Sequence, residues 1–283
     1  MVQPYLRLYT NKIKMTSFIT KIIDLIGRLP YFPGKGVFII LIFRLLNLKL
    51  ALPIYLPDRS RVLISGDDLH WIVLIWLGKY QPEFTRMFWY LLSQIPPNST
   101  VIDIGAHMGY YSLQAARYLL QRGGTVFAFE PHPAIFSNLK QNKEINHLHN
   151  LIPVQSAVYN KVGEMQFFAT PHTGYSSLSC VSNYNQVYKV KTTTLDKFVI
   201  LNNIHQVKLI KIDAEGAELP ILQGSEYIIM RDRPYIIYEE NEDTCRNFGY
   251  SVEELRKFLH KLKYDIFTID TISYYSNALA IPK

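Results

Sequence analysis

From Thr100 onward the chain switches between two hydrophobic periods. Short continuous apolar runs at 101–104, Thr125–Phe129, 151–158, Val207–Ile212 and 235–238 read as strands buried on both faces. Between the early runs, 110–121 and 133–146 carry the helical period. A further helix is predicted at 252–262, where Ser251 is the N-cap and Glu254 follows three residues later in the capping-box spacing. Runs at 266–269 and 278–281 predict a closing strand pair. Strands that alternate with helices predict an α/β fold whose doubly wound, mostly parallel sheet is covered on both faces. One stretch departs from alternation. Segments 164–169 and 188–194 read as strands with no helix between them, separated by the polar loop 172–177. They predict a β insertion covering the substrate side of a site.

The first 97 residues follow a different pattern. Helices are expected at 18–29, 37–46, 68–76 and Pro82–Gln94, with short strands at 52–56 and Arg61–Ile64 around a Pro57-Asp58 turn. Pro96-Pro97-Asn98 breaks the chain, which places a mostly helical extension at 1–97 and the main domain at 98–283. With 283 residues, 48% hydrophobic and 19% charged, the chain can bury a sizeable core, and disorder is disfavoured.

Charge separates the same two regions. Residues 1–97 hold 12 Lys/Arg against 5 Asp/Glu, whereas 98–283 hold 18 of each, so the whole net charge of +7 belongs to the first third. A nucleic-acid enzyme concentrates basic residues around its site, and the neutral second region argues against one. The basic third suits peripheral contact with an anionic membrane surface or an acidic partner, or serves solubility alone. Residues 36–56 are apolar but interrupted by Arg44, Asn47, Lys49 and Pro53, which argues against a spanning helix. The first 20 residues lack the compact apolar block of a secretory signal. Cys180 and Cys245 stand far apart in no paired motif, which fits a reducing, cytoplasmic compartment.

The densest local signal is Val101-Ile102-Asp103-Ile104-Gly105-Ala106-His107-Met108-Gly109, a buried strand running through a two-glycine turn into the helix that starts at Tyr110. Glycine tolerates positive φ and close backbone approach, and ligands of parallel sheets sit at carboxyl strand ends where strand order reverses. A dinucleotide fingerprint would begin with glycine where Asp103 stands, and an acid there repels a pyrophosphate. It suits a ligand carrying ammonium and sulfonium groups. Glu130 ends the second strand, where a carboxylate commonly meets ribose hydroxyls. A second cluster, Lys211-Ile212-Asp213-Ala214-Glu215-Gly216-Ala217-Glu218, places three acids in six residues at the end of the fourth strand. Acids at a helix start also satisfy its dipole, a sufficient reason for Glu215 and Glu218 on its own.

Together the segments 101–113, 126–133, 193–196 and 211–218 make the chain resemble the FkbM family of S-adenosylmethionine (SAM)-dependent methyltransferases. The resemblance runs from about residue 78 to the end. It implies a Rossmann-like class I methyltransferase sheet ending in an antiparallel strand pair, and methylation of hydroxyl groups on sugars, glycans, glycolipids or natural products. It implies that Asp103, Gly105 and Gly109, with Ala106, His107 and Tyr110 of the same turn, line the methionine part of SAM. Glu130 would hold the ribose, Ser156 and Ala157 would lie near the adenine, and Asp213 would face the transfer site. His107 departs from the Asn common there.

An alcohol is a weak nucleophile while protonated, so a base is expected. Asp213 is the first candidate, assisted by Glu215 and Glu240. A divalent ion held by Asp213 and another acid is the alternative, but no dense ligand motif supports one. His132 and His172 are lesser candidates for the base. Two rival classes stay open: a nucleotide-dependent oxidoreductase, disfavoured by Asp103, and a non-catalytic binding module on the same fold.

Overall fold

The computed structural model describes residues 52–56, 58–64, 80–170, 176–180, 184–272 and 275–283. The helices expected at 18–29, 37–46 and 68–76, and most of the loop 172–177 with His172, lie outside the described residues. The chain divides into two compact units, Met1–Tyr80 and Gln81–Lys283. In the first, β1 (Leu52–Tyr55) and β2 (Arg61–Ile64) form the expected antiparallel hairpin. Asp58 holds its turn by accepting hydrogen bonds from the Ser60 backbone N–H (3.0 Å) and hydroxyl (2.7 Å). Among the described residues no helix is long and apolar enough to cross a membrane.

The division moves forward from the expected position at residue 97. Helix Pro82–Gln94 belongs to the second unit because its apolar stripe is buried there. Phe84 and Phe88 set their rings 5.2 and 4.9 Å from Tyr111, and Trp89 donates its indole N–H to Gln114 at 3.0 Å. The Pro-rich break is only the connection from this helix into the sheet.

That sheet has seven strands: β3 (Thr100–Ile104), β4 (Thr125–Phe129), β5 (Leu151–Val154), β9 (Val207–Ile212), β10 (Tyr235–Glu240), β11 (Tyr264–Ile272) and β12 (Tyr275–Pro282). Their spatial order is β11-β12-β10-β9-β3-β4-β5. All neighbours are parallel except β12, which runs antiparallel to both β10 and β11. Strand order reverses between β3 and β9, so the switch point lies where the two acidic motifs end. Alternation assigns the faces. Ile102, Ile104, Phe129, Ile210, Ile212, Ile236 and Tyr238 pack with Leu195, Ile221, Ile228 and Leu255 of the helices Leu195–Leu201, Glu218–Gln223, Glu226–Asp232 and Val252–Lys261. The opposite face carries Val101, Asp103, Val126, Leu209 and Lys211 beneath the helix Tyr110–Leu120.

The β insertion is present as a separate sheet, β6-β8-β7, made of β6 (Ala157–Val158), β7 (Gly163–Ala169) and β8 (Gln186–Thr193). The run at 151–158, expected as one strand, is therefore two. Ser156 turns the chain: its N–H bonds the Val154 carbonyl (3.0 Å) and its hydroxyl bonds the Lys191 carbonyl (3.0 Å), handing the chain from one sheet to the other. The capping box at Ser251 and Glu254 is formed as the spacing predicts.

Candidate functional site: the rim between the third and ninth strands

The turn after β3 is shaped by the protein's own backbone. Gly105 has φ +73°, and a Cβ there would stand 1.8 Å from the Asp213 carbonyl oxygen, because the chain leaving β9 passes directly against the turn that follows its parallel neighbour β3. Gly109 has φ +95°, and a Cβ there would meet Leu139 at 2.7 Å. The turn's amides are already engaged. Gly105 and Ala106 both donate to the Phe129 carbonyl (3.1 and 2.9 Å), His107 donates to Glu130 Oε2 (2.9 Å), and Gly109 donates to the Ala106 carbonyl (2.8 Å). A phosphate cradle needs free backbone N–H groups. With four of them consumed, this turn lacks the donor set that would seat a diphosphate.

Glu130 is the hinge of that arrangement. Its two oxygens accept the backbone N–H groups of His107 and His132, each at 2.9 Å, and the residue is 5% exposed. Burial pushes its carboxyl up to about 7, although the two backbone hydrogen bonds pull the other way.

Beneath the turn lies a buried ion triad. Parallel register sets Asp103 of β3 beside Lys211 of β9 on the same face. The Lys211 ammonium, 3% exposed, has three N–H donors and three acceptors around it. These are the Gly105 carbonyl at 2.9 Å, Asp103 Oδ1 at 3.2 Å and Asp213 Oδ2 at 3.4 Å. It also stands over the Tyr111 ring at 5.7 Å. Burial depresses the lysine, but the charges of Asp103 and Asp213 outweigh it and hold the ammonium above its ordinary range. The Ser112 hydroxyl donates to Asp103 Oδ2 at 2.5 Å, while the buried Oδ1 has the Lys211 ion pair beside it and, among the described residues, no hydrogen bond. The Asp213 side chain keeps 26% of its surface exposed, and among the described residues Lys211 is the one group that bonds its carboxylate.

The loop after Asp213 is clamped from below. Glu218 accepts the N–H groups of Ala214 (2.9 Å) and Gly216 (3.4 Å), and the Tyr250 hydroxyl donates to the Gly216 carbonyl at 2.7 Å. Burial raises Glu218 to about 7. Glu215 takes φ +52°, and the Ser177 hydroxyl of the β insertion donates to its carbonyl at 3.0 Å.

A family model described as the Methyltransferase FkbM domain matches residues 103–266, more than half of the chain and the whole of this rim. The chain belongs to the FkbM methyltransferase domain family. Over 155 residues it is 26% identical to "Methyltransferase 1" of Beauveria bassiana, covering 48% of this chain and 61% of that protein. Over 134 residues it is 24% identical to the hexuronic acid methyltransferase AglP of Haloferax volcanii, covering 47% and 53%. The chain thus spans about half to three-fifths of these relatives. A solved Methyltransferase FkbM from Methylobacillus flagellatus is similar at 13% identity and TM-score 0.45, over 77% of this chain and 55% of that one.

Within this FkbM domain the expected residues fare unequally. Asp103, Gly105, Ala106, His107, Gly109, Tyr110, Glu130 and Asp213 gather at the switch point. Asp103, expected along the methionine part of SAM, is enclosed, with the Lys211 ammonium and the Ser112 hydroxyl against its carboxylate. Ser156 and Ala157 stand at the crossing into the insertion, with the Ser156 hydroxyl already bonded to backbone. Glu240 is a correction. It lies on the opposite face of β10, 3% exposed, bound by Arg256 at 2.8 and 2.5 Å and by the Tyr238 hydroxyl at 3.0 Å. Its neighbour Glu239 shares the face of Ile237, whose register partner is Lys211. Burial, then the charge of Asp213, raises Glu239, and burial, then Glu239, raises Glu215. His132 is also corrected: its Nδ1 caps the helix Pro133–Ile145 by accepting the N–H groups of Ala134 and Ile135. Burial lowers its imidazole. Among the described residues no three His, Cys, Asp or Glu side chains form a group that could hold a metal ion.

Lys211 and Glu239 went unassigned in the sequence reading. The signal for Lys211 was present: a lysine inside the apolar strand KLIKI must find a buried counter-charge. For Glu239 the signal was strand parity, which separates it from Glu240 by a whole sheet face.

Proposed function

We propose that this chain transfers a methyl group from SAM to a hydroxyl of a sugar, a glycan or glycolipid, or a natural product. The observation that carries the reading is the turn after β3. Four of its amides are bonded within the protein and the part-exposed Asp213 carboxylate stands beside it, a setting that disfavours a diphosphate and fits a ligand bearing sulfonium and ammonium groups. This also weighs against a nicotinamide-dependent oxidoreductase. Membership of a methyltransferase family supports it, as does a relative named for action on a hexuronic acid.

SAM supplies a methyl group on a positively charged sulfur, which leaves as a neutral thioether. The chain's residues bind, orient and move a proton. Gly105, Ala106, His107, Gly109 and Tyr110 would border the methionine portion. Glu130 would accept ribose hydroxyls, and the backbone at Ser156 and Ala157 would border the adenine. Asp213 would take the proton of the acceptor hydroxyl on the carboxylate oxygen that Lys211 leaves open. Glu215 and Glu239 would surround that oxygen with carboxyl groups whose raised proton affinity leaves them able to donate hydrogen bonds to a polyhydroxylated acceptor.

The test uses SAM labelled with tritium on its methyl group and the small-molecule extract of the host cell. Wild type should move label into an alcohol-soluble product. Asp213→Ala should lower that transfer roughly 100-fold while SAM binding heat stays near wild type. Undiminished transfer by Asp213→Ala removes it from the mechanism.

A further inference from the structure

We propose that Lys211 is a positioning residue for methyl transfer: it fastens Asp213 to the turn that borders the cofactor, so that one carboxylate oxygen is held and the other is presented at the rim. The proposal rests on the methyl-transfer reading above. Its basis is the count of partners. An ammonium has three N–H donors, and Lys211 meets the Gly105 carbonyl, Asp103 and Asp213, one from the glycine turn, one from inside β3 and one from the end of β9. No other described side chain bonds both sides of the switch point and the Asp213 carboxylate. The Asp213 N–H bonds the Ile104 carbonyl at 3.1 Å, so the backbone is fixed there, and Lys211 fixes the side chain above it.

A purely structural role for Lys211 makes a different forecast. If the lysine only neutralises buried Asp103, then removing both charges together restores everything. The triad carries two carboxylates and one ammonium, and Asp103→Asn with Lys211→Met leaves Asp213 alone with the same net charge. The amide introduced by Asp103→Asn keeps a partner for Ser112, and the thioether introduced by Lys211→Met fills the volume of the lysine stem. The double variant therefore removes the tether to Asp213 without leaving an unpaired buried ion.

Three readouts on wild type, Lys211→Met and the double variant decide the matter: thermal unfolding, calorimetry with SAM, and transfer of labelled methyl into the host extract. Lys211→Met alone should be strongly destabilised. The double variant should unfold within about 4 °C of wild type, keep its SAM binding heat, and transfer label roughly 100-fold more slowly, the penalty for a reacting group displaced by about 1 Å. Transfer at the wild-type rate by a stable double variant overturns the proposal and leaves Lys211 as a counter-ion. A wild type that neither binds SAM nor transfers label instead defeats the methyl-transfer reading itself. Should the double variant not fold, wild type labelled with 15N-lysine supplies the answer. The slowly exchanging Lys211 ammonium signal should shift on addition of S-adenosylhomocysteine and again in Asp213→Asn, and a signal insensitive to both contradicts the proposal.

Discussion

Replacing Gly105 by alanine tests whether the glycine serves the close approach of the protein's own backbone after β9 rather than a ligand. The new Cβ would lie 1.8 Å from the Asp213 carbonyl oxygen, which must retreat by about 1.6 Å to reach the 3.4 Å of ordinary contact. The neighbour is backbone just past the adjacent strand, so no side chain can swing away. Retreat would also stretch the Asp213 N–H to Ile104 bond (3.1 Å) and the Lys211 bond to the Gly105 carbonyl (2.9 Å), which lie at the same contact. A left-handed conformation adds about 1–2 kcal/mol for a residue with a Cβ. Overpacking adds about 1–3 kcal/mol, and weakened hydrogen bonds add about 1 kcal/mol. The expected loss is about 3–6 kcal/mol, on the order of a 10 °C fall in Tm. Gly249→Ala is the control: it has φ +79° and no atom within 4 Å of the added Cβ, so it should lose only the conformational share of about 1–2 kcal/mol. Thermal and urea unfolding of both variants measure the difference. Equal losses for the two would refute the close-approach explanation and return Gly105 to a purely ligand-facing role.

Arg256→Ala should lower stability by about 3 kcal/mol, because Glu240 would keep a buried charge without its guanidinium. SAM affinity should be unchanged, since that pair lies on the far face of β10; a large loss of affinity would put Glu240 back in the site. Glu130 and Glu218 both titrate near 7 when folded, against an ordinary 4.5. Their folded-state proton affinity is raised, so the stability they lend is complete below pH 4.5 and is lost as pH rises through 7. Unfolding midpoints in urea should therefore fall between pH 5 and pH 8, each group contributing up to roughly 3 kcal/mol. Glu130→Gln should flatten that slope by about half, and an unchanged slope would contradict the burial argument.

Hydrophobic period alone located most of the second unit. The parallel strands, the closing antiparallel pair and the helix entered at Ser251 are all local decisions, written in apolar runs and a capping box. The insertion was legible because two strands followed one another without a helix. Other features depended on partners distant in sequence. The break at Ser156 is set by the carbonyl of Lys191, 35 residues away. The place of helix Pro82–Gln94 is set by Tyr111 and Gln114 rather than by the prolines that follow it. Helix Leu195–Leu201 was visible only as the motif TTLD. Thr194 caps it by accepting the Lys197 N–H, and Asp196 accepts the N–H groups of Tyr227 and Ile228 at the start of another helix.

The site shows the same division. That Asp103, Glu130 and Asp213 would gather at one rim was legible from their places at the carboxyl ends of three parallel strands. What Asp103 does was not legible: its counter-charge comes from Lys211, 108 positions later, through strand register. The choice of Glu240 over Glu239 went wrong because β10 continues through Glu240, so parity turns Glu239 toward Asp213 and Glu240 toward Arg256.

The most direct measurement is calorimetric titration of the intact chain with SAM and, in parallel, with NAD. A rim whose turn amides are consumed and whose lining is acidic should give a saturable heat with SAM at one molecule per chain, displaced by S-adenosylhomocysteine, and none with NAD. No heat with SAM, or saturable binding of NAD, would contradict the account.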